Sequence, residues 1–163
     1  MTLSRSLLAS LVAAVLLTGC AQLAALDETA RVERETARVE EARELFERFI
    51  ILGNHYDTTI ANLYAEEAQI LLIERKRGAL RKVAVAGSDF KELVHRTLPR
   101  AERKGHHSSF SDVTFRVRGE RVRIDAIRTA MPQGWRVPHI LVVGPSKSGE
   151  EWLIYQEVSV TPL

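Results

Sequence analysis

Leu7 to Leu17 (LLASLVAAVLL) is an apolar run of eleven residues broken only by Ser10. As a helix it would reach about 16 Å, roughly half of a bilayer core, so it is too short for an ordinary spanning helix. Residues 28–41 have a different texture, a polar repeat of ETARVER followed by ETARVEE. Only Val32, Val39 and Phe46 recur at seven-residue spacing, and Thr36 and Arg43 occupy the companion positions. So thin an apolar seam predicts a solvated helical spacer rather than a dimerising coiled coil. Glu28/Arg31, Glu35/Arg38, Glu40/Arg43 and Glu44/Arg48 are helix-surface neighbours, each worth a few tenths of a kcal/mol.

From Glu44 the pattern becomes that of a packed domain. Leu45, Phe46, Phe49, Ile50 and Leu52 give an amphipathic helix that Gly53 can end. Asp57 is placed to cap a short second helix running to Glu67, with Ile60, Leu63 and Tyr64 inward. Gln69–Glu74 and Lys82–Ala86 read as strands joined through Lys76-Arg77-Gly78. Gly87-Ser88 then stops the strand and caps a third helix with Phe90, Leu93, Val94 and Leu98 on one face and Pro99 near its end. After Gly105 the period becomes two: Val113, Phe115 and Val117 alternate with polar residues, as do Val122, Ile124 and Ala126. Val137–Val143 is a denser strand, and Trp152, Ile154, Val158 and Val160 share one face of the last. Helices followed by antiparallel strands predict an α+β domain.

Composition narrows this little. The 163 residues include 23 Lys plus Arg, 21 Asp plus Glu and one cysteine, for a net charge of +2. One cysteine excludes an internal disulfide and any multi-thiolate zinc site. Glu74 to Lys104 holds ten basic and four acidic residues, and Arg116, Arg118, Arg121 and Arg123 add a basic hairpin. These could meet anionic headgroups or an acidic envelope component, or form a solvated face balanced by the acidic spacer. Aromatics are 6% and not interleaved with the basic run, so a nucleic-acid partner is not expected. No dinucleotide, P-loop, zincin or nucleophile-elbow pattern occurs, and no cofactor is implied.

The single cysteine closes Leu17-Thr18-Gly19-Cys20 at the end of the first apolar run, which resembles the lipobox of bacterial lipoproteins. That resemblance implies cleavage before Cys20 and acylation of its sulfur and new amino group. Three acyl chains go well beyond reversible one-chain membrane binding, so the membrane would be a permanent partner through Cys20. Residues 1–19 are then a signal peptide, 20–43 the lipidated terminus and spacer, and 44–163 the domain. Removing 1–19 takes Arg5 as the only charged side chain, leaving 144 residues at +1. Ala21 in place of a retention aspartate implies the outer membrane, facing the periplasm, in a diderm source.

The domain is similar to the nuclear transport factor 2-like (cystatin-like cone) superfamily, which includes the SnoaL-like cyclases. The residues carrying the resemblance are Tyr56-Asp57 leading into Ile60–Ala68, Val85-Ala86-Gly87-Ser88-Asp89, Pro138–Gly144 and Glu151–Gln156. It implies N-terminal helices packed on a bent, mostly antiparallel sheet, with a pocket between sheet and helices and, in many members, a homodimer. Family enzymes line that pocket with Tyr, Asp or His groups that move protons. The candidate pocket residues are Tyr56, Asp57, His95, Asp125, His139 and Tyr155, beside Tyr64 as a core residue. Asp57 is also a helix cap, and Asp125 is either a surface ion-pair partner or a pocket carboxylate. His139 lies among Val, Ile and Leu as either a core residue or a pocket imidazole. The adjacent His106 and His107 make a poor metal pair. No complete catalytic set aligns. The reading is therefore an envelope lipoprotein whose cone binds a small apolar ligand or an envelope protein without chemistry. The alternative is an acid-base enzyme of isomerase, dehydratase or polyketide-cyclase type, using His139 with Asp125 or Tyr56.

Overall fold

The structure, a computed structural model, describes residues 5–76 and 79–162, with side-chain surroundings for 27–74 and 79–160. The first four residues, the side chains through residue 26 (Cys20 included) and the Arg77-Gly78 loop lie outside the described residues. Helix α1 spans Arg5–Asn54. A 3-10 turn (Thr58–Leu63) leads into β1 (Tyr64–Lys76), β2 (Ala79–Ala86), α2 (Gly87–Arg103), β3 (Ser108–Arg118), β4 (Arg121–Ala130), β5 (Trp135–Pro145) and β6 (Trp152–Pro162).

Two compact units divide at Ala37/Arg38. In the first, Arg31 bridges Glu28 at 2.6 Å and Glu35 at 3.1 Å, all three largely exposed, as expected of a solvated helix. The second unit takes up several residues that the sequence pattern assigns to the spacer. Ala42 is fully buried, the Arg43 guanidinium lies 4.8 Å over the Phe115 ring, and Arg38 donates to the Gly119 carbonyl.

The sheet runs β2-β1-β6-β5-β4-β3. All neighbours are antiparallel except β1 and β6, which are parallel. Val122, Ile124 and Ala126 of β4, Leu141 and Val143 of β5 and Ile154 of β6 build its inner face. Ala42, Leu45 and Phe46 of α1 and Val94 of α2 belong to the same core. At roughly 25 cal/mol per Å² of apolar surface removed from water, this layer is the main stabilising term.

Three irregularities bend the sheet. One is an extra residue in β3 at Asp112 (φ 54°), a second is a register jump in β1 between Tyr64 and Gln69, and the third is an extra residue in β6. The β1 jump has a partner in Gly87. A Cβ there would lie 2.2 Å from the Ala65 carbonyl oxygen, so only glycine lets α2 start this close.

Three local expectations are corrected. The helix expected over Asp57–Glu67 is a short 3-10 segment over Thr58–Leu63, because Tyr64 already pairs with Ile154 of β6. Asp57 does cap it, accepting from the Thr59 amide at 2.8 Å. Ser88 does not cap α2, whose N-cap is Ala86 with no side-chain bond. In β6, Val158 and Val160 face away from Ile154, because Tyr155 is the extra residue: Val143 pairs Ile154 and Val142 pairs Gln156. That slip turns Glu157 and Ser159 inward, where both are buried.

Candidate functional site

A cavity of about 560 Å³ opens between the end of α1, α2 and the β3–β5 end of the sheet. Its size is within the usual range for small-molecule sites. The α1 terminus forms one wall. Tyr56 takes a left-handed conformation (φ 56°), and the Asp57 amide donates back to the Leu52 carbonyl, closing the helix. Asn54 fastens this end to β3 by two 2.9 Å bonds, donating to the Ser108 carbonyl and accepting from the Ser108 amide. Phe49, Ile50, Leu98, Phe110, Met131 and Trp135 supply the apolar lining, and Arg128 is the permanently charged residue in the wall.

Behind Arg128 lies a buried polar cluster. Alternation on β4 places Arg128 on the same face as Ile124 and Ala126. Ala126 pairs with His139, His139 with Ser159, and Leu141 with Glu157, so Arg128, His139 and Glu157 occupy diagonal positions on three adjacent strands. Tyr64 donates its hydroxyl to Glu157 Oε2 at 2.5 Å. Arg128 Nη2 donates to the Val160 carbonyl at 2.7 Å, while its buried Nε has no partner.

His139 is 2% exposed, and neither ring nitrogen has a hydrogen-bond partner among the described residues. The Phe49 ring stacks on it at 5.7 Å and the Phe110 ring meets it edge-on at 5.3 Å. Burial, reinforced by the Arg128 charge, lowers its pKa to about 3, so the imidazole is neutral at neutral pH. Glu157 Oε1 lies 4.0 Å from His139 Nδ1, too far for a hydrogen bond. Burial raises Glu157, against the opposing pull of the Tyr64 hydrogen bond and Arg128. Tyr64 is raised by burial and then by Glu157, and burial lowers Arg128.

The structure separates most of the residues singled out from sequence. Tyr56 lines the cavity. His139 is packed behind the Phe49 and Phe110 rings and is not part of the lining. Asp125 pairs across β4/β5 with Ile140, on the face opposite His139. There its carboxylate takes hydrogen bonds from Arg123, which hold its pKa low, and Arg116 lies 3.8 Å away. A His139–Asp125 acid-base pair therefore has no geometry. Asp57 serves the turn, its pKa lowered by the Thr59 amide. His95 is exposed on α2. Tyr155 donates to the Pro145 carbonyl at 2.8 Å under the Arg121 guanidinium, at the far end of β5 from the cavity. His106 and His107 stand exposed at the mouth, with His107 Nδ1 3.2 Å from the Gly105 carbonyl. Among the described residues no group of three or more His, Cys, Asp or Glu is placed to hold a metal.

Arg128 and Glu157 were not among the residues that sequence reasoning selects. Arg128 could have been found by continuing the inward alternation Val122, Ile124, Ala126 by one step. Glu157 could not, because the extra residue at Tyr155 reverses its face.

No protein-family profile matches the chain, and none of the curated proteins does. Solved structures do resemble it. A nuclear transport factor 2-like protein with a cystatin-like fold from Novosphingobium aromaticivorans is 16% identical over 80% of this chain and 86% of its own, with a TM-score of 0.56. A nuclear transport factor 2-like protein of unknown function from Shewanella oneidensis is 12% identical over 76% and 98%, with a TM-score of 0.55. A Novosphingobium aromaticivorans protein with a provisional scytalone dehydratase name is 11% identical over 78% and 85%, at 0.51. The fold is the cystatin-like α+β cone. Identities this low speak for the fold alone, and this scaffold hosts unrelated functions.

Proposed function

We propose that this chain is an envelope lipoprotein, anchored through acylated Cys20, whose cone domain binds a small apolar ligand without transforming it. The observation that supports ligand binding is the cavity itself, about 560 Å³ and walled mainly by aromatic and aliphatic side chains. Its imidazoles stand at the exposed mouth, and the buried His139 and Glu157 lie behind the wall, so among the described residues no acid-base pair converges on an enclosed ligand. Anchoring is supported by the Leu-Thr-Gly-Cys sequence ending an apolar run too short to span. Among the described residues no helix is long and apolar enough to cross a membrane. Ala21 in place of a retention aspartate supports an outer-membrane anchor with the domain in the periplasm, if the source is a diderm cell.

Two measurements test the two halves. Metabolic labelling with an alkyne fatty acid should mark the wild-type chain and leave Cys20→Ala unmarked; persistent labelling of Cys20→Ala refutes the anchor. Native mass spectrometry of the protein extracted from envelopes should show a co-purifying small molecule. Its loss on narrowing the cavity with Ala101→Trp is the expected control.

A further inference from the structure

We infer that the ligand of this cavity is a small apolar acid whose carboxylate is received by Arg128. The inference rests on the ligand-binding reading above and adds the chemistry of the head group. Among the described residues the lining combines a broad apolar surface with one fixed positive charge, and no Asp or Glu side chain belongs to it. The other titratable nitrogens in the wall, on His106 and His107, could add only charge of the same sign.

Arg128 is held in place but not used up. Its Nη2 is committed to the Val160 carbonyl, its Nε lacks an acceptor, and its Nη1 has no protein partner among the described residues. Glu157 attracts it electrostatically. However, that carboxylate is bonded to Tyr64 behind the wall and forms no ion pair with Arg128 among the described residues. A half-buried guanidinium whose Nη1 is not engaged by the protein is free to donate to an acceptor that enters the cavity. A carboxylate fits that role because its paired oxygens match the planar fork of the guanidinium. The backbone bond to Val160 orients the fork beforehand, so little ordering remains to oppose binding. A neutral ligand of the same shape would fill the apolar wall but leave these donors unmatched.

Trp135 lines the cavity and Trp152 begins β6 away from it, so the two indoles serve as a reporter and an internal control. The full-length chain, labelled with [15N]tryptophan in neutral detergent, would be titrated with 2-naphthoate and separately with 2-naphthamide. Trp135→Phe identifies the cavity indole signal. The expected result is a saturable shift of the Trp135 signal alone, with naphthoate about tenfold or more tighter than naphthamide. Arg128→Met should bring naphthoate down to the level of naphthamide, and naphthamide should stay within about threefold of wild type. If Arg128→Met does not fold, Arg128→Lys decides, since it should keep part of the preference for the acid. Naphthamide binding as tightly as naphthoate, or an unchanged acid preference in Arg128→Met, overturns the assignment of Arg128 and leaves the cavity reading standing. A Trp135 signal that moves with neither probe, or only together with Trp152, removes the cavity reading and this inference with it.

Discussion

Replacing His139 with leucine should leave the domain as stable as wild type or more stable at pH 7, and its advantage should grow as pH falls. At pH 7 two effects oppose. The substitution loses the ring contacts with Phe49 and Phe110, worth about 0.5–1.5 kcal/mol each. It also removes two buried ring nitrogens without partners, at about 1–3 kcal/mol apiece. The pH dependence is sharper because only the titration of His139 enters it. Its folded pKa is about 3, against about 6.5 in the unfolded chain. Between those values the unfolded state binds the extra proton, so the histidine's contribution is intact above pH 6.5 and is lost as pH falls toward 3. From pH 7.0 to 4.5 that loss comes to about 2.5 kcal/mol.

Glu157 works the other way: its folded pKa is raised, so its contribution is complete below the unfolded value and lost as pH rises through the folded one. That term is common to wild type and variant and cancels in their difference. Urea unfolding of both proteins at pH 7.0 and 4.5 measures the gap. A gap that widens in favour of His139→Leu by about 2 kcal/mol supports a neutral, unpaired imidazole. A constant gap, or one that shifts toward wild type in acid, would falsify it, since the 4.0 Å approach to Glu157 would then be a working ion pair that raises the histidine pKa.

Gly87→Ala places a Cβ 2.2 Å from the Ala65 carbonyl oxygen and 2.9 Å from that of Glu66. Both are backbone atoms that cannot swing aside, so a loss of about 3 kcal/mol is expected, and an unchanged Tm would show that β1 and α2 do not meet this closely. Tyr64→Phe removes the hydroxyl that Glu157 accepts from, at a cost of about 2 kcal/mol. A double-mutant cycle with Glu157→Leu should give a coupling of at least about 1 kcal/mol, and additive single effects would contradict the bond.

What could be read from the chain follows from local rules. The alternation Val122-Ile124-Ala126 requires only a strand with one face buried, and it matches the inner face of β4. The Asp57 cap needs only its own turn, and the separate textures of the spacer and the packed region are compositional. The candidate site was less legible. Of the residues singled out, Tyr56 lines the cavity, while Asp57, His95, Asp125 and Tyr155 serve a cap, an exposed helix face, an ion pair and a strand end.

By itself the sequence determined the α+β class and the placing of Cys20 after a short apolar run, and it left His139 open between core and pocket. Tertiary structure decided the rest. Period-two alternation carries no information across an extra residue, so the slip at Tyr155, visible only as a change of partner against β5, turned Glu157 inward. The β4/β5 pairing set Arg128 diagonally beside His139. Tyr64 is separated from Glu157 by 93 positions along the chain, and the parallel pairing of β1 with β6 brings them together. The polar cluster is thus a product of strand register, which is set between segments and not within any one of them, whereas the inward face of Arg128 follows from the alternation of β4 alone.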